Sequence, residues 1–266
     1  MESTYPGQFA VVTGASSGIG LELAKVFAKH GFDVLMTAED SGLDDAAQQV
    51  RALDVSATTV QTDLTRPDGV ERLYERIRSL GRPVDIIAIN AGVGVGGPFV
   101  ETDLERELDL IRLNVLSTVH LAKLALRDMV DRNEGRVLFT SSIAADMPAP
   151  FEAVYGASKA FVQSFAEALR NELKDTNITV TALQPGPTDT NFFRRADMED
   201  TKVGSGKKDD PAEVAQQAYD ALMAGKDHIV AGSMKNKVED TLAKLSPEKA
   251  AAQMHRKQSE PGSARQ

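Results

Sequence analysis

Short runs of β-branched and aliphatic residues alternate along the chain with longer stretches whose apolar positions recur at helical spacing. The short runs predict strands at Phe9–Thr13, Asp33–Thr37, Thr58–Thr62, Val84–Ile89, Arg136–Thr140, Thr179–Leu183 and His228–Val230. The longer ones predict helices at Gly18–His30, Leu43–Leu53, Asp68–Ser79, Leu104–Arg132, Ala153–Lys174 and Pro211–Ala224. Ala10-Val11-Val12 and Val84-Asp85-Ile86-Ile87-Ala88-Ile89 are nearly unbroken apolar runs, which marks strands covered on both faces. Pro67 and Pro211 fall at helix starts, where a missing N–H costs little. A strand–helix rhythm with two-faced strands predicts an α/β chain: one doubly wound parallel sheet with helices on both faces.

Composition narrows the classes without changing that picture. With 266 residues, 42% hydrophobic and 26% charged, the chain can bury a substantial core. One domain is expected over 1–232, followed by a helix around Val238–Leu245 and a flexible tail within 233–266, the last ten or so residues being disordered. The 39 acidic and 30 basic residues leave a net charge of −9, a poor match for nucleic acid. The absence of cysteine excludes disulfides, thiolate catalysis and zinc–thiolate sites. No signal peptide or membrane-spanning run is visible, so a cytoplasmic location is expected. His30, His120, His228 and His255 show no ligand spacing, and no catalytic metal is expected.

Candidate chemistry begins after the first strand, in Thr13-Gly14-Ala15-Ser16-Ser17-Gly18-Ile19-Gly20. A strand that turns sharply into a helix while its backbone approaches a pyrophosphate needs glycine, and the helix N-terminus adds partial positive charge. The Ser16 and Ser17 hydroxyls can add donors. Glycines at such a turn are also common for structural reasons alone. The second strand ends at Ala38-Glu39-Asp40, where carboxylates can accept from ribose hydroxyls and repel a 2′-phosphate. No Arg or Lys stands nearby in sequence, which favours NAD over NADP. Asp63, before Leu64, could face an adenine amino group or simply cap the next turn.

Tyr155-Gly156-Ala157-Ser158-Lys159 opens an apolar helix, and the i, i+4 spacing sets Tyr155 and Lys159 on one face. A neighbouring ammonium, together with an oxidised nicotinamide, would pull the phenol toward working pH. Such a pair alone is usually an exposed amphipathic couple. Ser142, however, follows the fifth strand at the edge where parallel sheets bind ligands, and Asn114 is a polar residue in an apolar helix that needs a partner.

In family order, Thr13–Gly20, Asp63-Leu64, Asn90-Ala91-Gly92, Asn114, Ser142, Tyr155-x3-Lys159 and Pro185-Gly186-Pro187-Thr188 resemble the short-chain dehydrogenase/reductase family, in its single-domain Rossmann-type branch. The resemblance implies an NAD(P)-dependent oxidoreductase acting on an alcohol or carbonyl compound. It implies Tyr155 as general acid/base, Ser142 as holder of the substrate oxygen, Lys159 on the nicotinamide ribose, and Asn114 fixing a water toward Lys159. Asn90, Ala91 and Gly92 would support the adenosine half, with Pro185, Gly186 and Thr188 at the nicotinamide. Ile89 stands where relatives often carry a second Asn, and Glu39 where many carry Arg.

An isomerase or dehydratase on the same fold, and a nucleotide sensor without turnover, are the competing classes; no Gly-x-Ser-x-Gly elbow is read in the chain, so a serine hydrolase is not expected. Val93–Pro98, Ala144–Phe151 and a polar flap at Thr190–Asp210 would shape an apolar substrate pocket, although the flap also reads as a plain surface excursion. The family forms mostly dimers and tetramers through the long helices. Val119, Leu121, Ala122, Leu124, Ala125 and Leu126 would serve a homo-oligomer contact or burial within one chain equally well.

Overall fold

A computed structural model describes residues 7–233 and 247–265. The helix expected around Val238–Leu245 lies outside the described residues. Seven strands form one sheet: β1 (Phe9–Thr13), β2 (Asp33–Ala38), β3 (Ala57–Gln61), β4 (Ile86–Ile89), β5 (Gly135–Thr140), β6 (Ile178–Pro185) and β7 (His228–Ala231). Their order is β3-β2-β1-β4-β5-β6-β7, and every pairing is parallel. The order reverses between β1 and β4, and that switch point opens a crevice at the carboxyl ends of the strands.

Both faces are covered, which is why the strands carry few polar positions. Ala10, Val12, Val34 and Met36 pack toward α1 (Gly18–Lys29), α2 (Leu43–Arg51) and α9 (Pro211–Met223). Their neighbours Phe9, Val11 and Leu35 point the other way. There they meet α3 (Pro67–Ser79), α5 (Thr118–Arg132) and α6 (Ala153–Glu172). Leu121, Ala122, Ala125 and Leu126 belong to this second core and Leu124 packs against it, so burial within the chain accounts for all but Val119 of the residues considered above for an oligomer contact.

Two differences from the sequence expectations bear on the site. The helix expected to run unbroken from Leu104 to Arg132 is α4 (Leu104–Ile111), a π-helical turn at Arg112–Ser117, and then α5. Hydroxyls compete for its carbonyls: Thr118 Oγ1 donates to Asn114 O at 2.9 Å, and Ser117 Oγ donates to Leu113 O. A turn of this type inside an α-helix often marks a functional position, and here it contains Asn114.

The tail also departs from expectation. Residues 257–265, expected to lack structure, end α10 (Glu248–Ser259) and form a short turn at Ser263–Arg265. Polar contacts hold them. Ser259 and Ser263 are buried; Gly262 N donates to Asp200 Oδ2 at 2.8 Å, and Ala264 N to Asp200 O at 2.9 Å. Composition alone did not reveal these partners, because they lie in the flap some 60 residues away.

Candidate active site

The crevice is a cavity of about 900 Å³ walled by the carboxyl ends of β1 to β6, the flap and α10. Its first wall is the glycine turn. Gly14 sits at φ +66°, a backbone region open mainly to glycine, and Ala15 N is held by Thr37 O at 3.0 Å. Gly20, in the first turn of α1, lies so close beneath the glycine turn that a Cβ there would stand 2.1 Å from Gly14 O. The loop therefore presents bare backbone at a helix N-terminus, the arrangement that receives a phosphate. Ser16, Ser17, Gly18 and Ile19 line the cavity with it. Gly14-Ala15-Ser16-Ser17-Gly18 also has the Gly-x-Ser-x-Gly spacing of a hydrolase nucleophile turn, contrary to the expectation above. Ser16 Oγ, however, donates to Asp40 Oδ2 at 2.7 Å and bonds no histidine.

Asn90 ties the middle of the crevice together. Its backbone N donates to Thr13 Oγ1 at 2.9 Å, its Nδ2 to Thr13 O at 3.1 Å, and its Oδ1 accepts from Thr140 Oγ1 at 3.0 Å. One side chain thus fixes the ends of three strands. Ala91 N shares Thr13 Oγ1. Gly92 follows, and a Cβ on it would stand 3.1 Å from both Asn114 Oδ1 and Lys159 Nζ.

At the second-strand end, Glu39 is exposed at the rim, whereas Asp40 turns inward. Arg195, in the short flap helix α7 (Phe192–Arg195), brings its guanidinium to 3.5 Å from Asp40 Oδ2. The sequence neighbourhood of Glu39 and Asp40 has no cation; the fold supplies one from 155 residues away. Asp63 Oδ1 accepts from Thr65 N and Thr65 Oγ1 at 2.8 and 2.7 Å, so its carboxylate caps its own turn, while Asp63 and Leu64 still line the cavity.

Tyr155 and Lys159 stand on successive turns of α6, with the ammonium 5.8 Å from the phenol ring centre. Lys159 Nζ donates to Thr140 O at 2.8 Å. Ser142 caps a short 3₁₀ turn at Ile143–Asp146 by accepting from Ala144 N at 3.1 Å, and its hydroxyl also bonds the Tyr155 side chain. Phe192 of the flap covers the phenol, ring centres 5.1 Å apart. Pro185, Gly186 and Thr188 complete this wall, Thr188 Oγ1 donating to Gly186 O at 2.9 Å.

Asn114 is the one expected site residue absent from the cavity lining. Its Oδ1 accepts from Val93 N at 3.0 Å; its Nδ2 donates to Val93 O at 2.9 Å and Ser158 Oγ at 3.0 Å. Ser158 Oγ donates in turn to Tyr155 O at 2.7 Å. Asn114 thus clamps the loop after β4 to the first turn of α6, the turn that carries the phenol.

Burial by itself holds Tyr155 well above the usual phenol range, a shift opposed by the Ser142 hydrogen bond and reinforced by Glu152. Burial also lowers Lys159, to about 8. The cation that should stabilise the phenolate is itself desolvated, so the two charged forms must be stabilised by something further.

Glu152, three residues before Tyr155, escaped the sequence reading, although its i, i+3 relation to the phenol was visible. So did Arg195 and Phe192 of the flap, and Met254, His255, Gln258 and Ser259 of α10, which had no local signal. Among the described residues no cluster of His, Cys, Asp or Glu is arranged to hold a metal ion, and no helix is long and apolar enough to cross a membrane.

Comparison with known proteins points one way. A family profile described as short chain dehydrogenase matches residues 8–201. An uncharacterized oxidoreductase of Staphylococcus saprophyticus is 33% identical over 217 residues, 80% of this chain and 90% of its own. A short-chain dehydrogenase from Sphingobium yanoikuyae, solved in complex with NADPH, superposes with a TM-score of 0.78 at 30% identity, covering 84% of this chain and 87% of that one. A bulky-bulky ketone specific alcohol dehydrogenase from Comamonas testosteroni gives 0.75 at 26% identity, over 90% and 92%.

Proposed function

The chain belongs to the short-chain dehydrogenase/reductase family of oxidoreductases, and on that premise we propose that it interconverts a secondary alcohol and its ketone using NAD(P), with Tyr155 as general acid/base. The observation that carries this reading is the convergence of Ser142, Tyr155 and Lys159 on one end of the cavity whose other end is the glycine turn.

The residues present fit a dinucleotide. The bare turn at Gly14–Gly20 suits the pyrophosphate, Glu39 and Asp40 the adenosine ribose, and Lys159 the nicotinamide ribose, with Pro185, Gly186 and Thr188 beside the ring. When bound, the nicotinamide supplies the hydride-exchanging carbon and, in its oxidised form, a positive charge. That charge is the further stabilisation that a buried phenolate needs. In alcohol oxidation Tyr155 removes the hydroxyl proton; in reduction it returns a proton to the carbonyl oxygen, with Ser142 donating to that oxygen. Lys159 carries its charge below pH about 8 and favours the phenolate from the next turn. Asn114 acts as a positioning residue through Ser158.

Steady change in nicotinamide absorbance with a panel of ketones and alcohols tests the reading. Tyr155→Phe is expected to cut turnover by about 10²–10⁴-fold while leaving cofactor affinity nearly intact. Cofactor binding without turnover of any panel member would instead favour a sensor. NAD is favoured over NADP, because Glu39 and Asp40 repel a 2′-phosphate and Arg195 already faces Asp40; the ratio of kcat/KM for the two cofactors decides it.

We also infer a homo-oligomer. Phe99, Leu104, Ile111 and Phe161 are exposed, and Phe99, Ile111 and Phe161 line an apolar groove between α4 and α6. Light scattering that returned a monomer mass would refute this.

A further inference from the structure

The proton transfer leaves one polar corner of the cavity unused. Glu152 is only 6% exposed, yet it lines the cavity beside Tyr155. Its Oε2 accepts from Ser259 Oγ at 2.9 Å and lies 3.5 Å from His255 Nε2. Both partners come from α10, which also lends Met254 and Gln258 to the wall. Ala144, Met147, Phe192 and Phe193 give this end its apolar surface, and Lys202 and Lys208 of the flap line the cavity as well, Lys208 Nζ lying 5.3 Å over the Phe193 ring.

The corner is rigidly built. The Arg256 guanidinium lies 4.8 Å over the Phe151 ring, next in sequence to Glu152. Lys202, which opens the short flap helix α8 (Lys202–Ser205), donates its N–H to Ser263 Oγ at 3.0 Å, and Asp200 accepts two backbone N–H groups of the tail, so hydrogen bonds join α10 and the turn after it to the flap. A carboxyl offers about four lone-pair sites. One serine hydroxyl and one imidazole edge leave it with capacity to spare, and burying it without further partners is costly.

Building on the oxidoreductase reading, we propose that Glu152, set in place by Ser259 and His255, determines specificity by receiving a substrate hydroxyl remote from the reacting carbon. The preferred substrate is then an apolar ketone or secondary alcohol that carries a second hydroxyl. A hydroxyl suits this corner better than an ammonium. It can donate to a carboxylate or accept from a carboxylic acid, so it pairs with either form of Glu152. An ammonium can only donate and demands the ionised form, which burial opposes. A plain apolar substrate would exclude water from the carboxyl and give nothing back, and sites built this way reject the analogue that lacks the polar group.

The test uses the cofactor-loaded full chain and matched pairs of probes: cyclohexanone and decalone, each with and without a ring hydroxyl, plus the aminoketone counterparts. Affinity is read by calorimetry and turnover by nicotinamide absorbance. Wild type is expected to prefer the hydroxylated member by about tenfold or more in both readouts. Glu152→Ala should bring that ratio toward one, Glu152→Gln should keep part of it, and Ser259→Ala should reduce it. If Glu152→Ala fails to fold, the Gln and Ser259→Ala variants carry the test.

Equal affinity for the paired ketones in wild type, an unchanged ratio in the variants, or a preference for the aminoketone would each overturn the proposal. Turnover without hydroxyl preference removes Glu152 but keeps the oxidoreductase. Hydroxyl preference that the variants lose, without turnover, does the reverse.

Discussion

The two ends of the cavity are built by opposite means. At the glycine-turn end the exposed surface is backbone. Gly14, Gly18 and Gly20 lie within one seven-residue stretch, and their role follows from close approach and helix polarity. At the Tyr155 end the surface is side chains from four separate segments: the turn after β5, the start of α6, the flap and α10. The bond between Ser259 and Glu152 spans 107 residues. A common ligand part can be held by a short motif, whereas a variable one is met where loops and termini converge. The first end is therefore brittle toward any added atom, and the second toward loss of a partner.

The sharpest way to break this contrast is Gly20→Ala. Its methyl would collide with Gly14 O, so the turn must move; a loss of about 1–3 kcal/mol of stability is expected. Cofactor affinity should fall at least about tenfold. Chemical denaturation and calorimetry read the two effects. Wild-type affinity in this variant would show that the turn is not a rigid phosphate cradle.

A second experiment probes the substrate end through pH. Burial raises Glu152 from 4.5 to about 7, so the folded chain holds a proton that the unfolded chain has released between those values. The stability this group contributes is present at low pH and lost as pH climbs through about 7. Each pKa unit is worth about 1.4 kcal/mol, so the loss between pH 4.5 and 7 is on the order of 2–3 kcal/mol. Glu152→Gln should remove that slope in cofactor-free denaturation curves. His255, lowered by burial, acts in the opposite direction but is common to both proteins, and Lys159 stays charged in both states across this window. Parallel curves for wild type and variant would refute the assignment.

Arg195→Ala should have the smallest effect. Its ion pair is solvent-exposed at 3.5 Å and is worth less than about 1 kcal/mol. A small change in denaturation midpoint, under that limit, is expected; a larger one would mean that the flap is structurally tied to the nucleotide end.

Much of this protein was legible in its residues. Val11 and Ile87 lie in unbroken apolar runs because helices cover both sides of their strands, and a two-sided environment leaves a local imprint. The Tyr155–Lys159 spacing on α6 was likewise local. The interrupted helix at Asn114 was not legible: a π turn arises from competition between hydroxyls and backbone for the same carbonyls, and helical periodicity does not register it. The tail was misread as disordered because polar composition looks the same whether its partners are water or Asp200 and Glu152.

Periodicity, turn glycines and motif spacing are short-range quantities, and they were enough to predict the parallel α/β sheet, the sharp glycine turn after β1 and the nearness of Ser142 and Lys159 to Tyr155. Which way a charge shifts depends on what surrounds it in three dimensions. Burial raises the phenol despite its lysine neighbour, and packing of α10 buries the carboxyl of Glu152 beside it. Desolvation and long-range hydrogen bonds exist only once the chain has closed on itself, so only the folded structure could decide them.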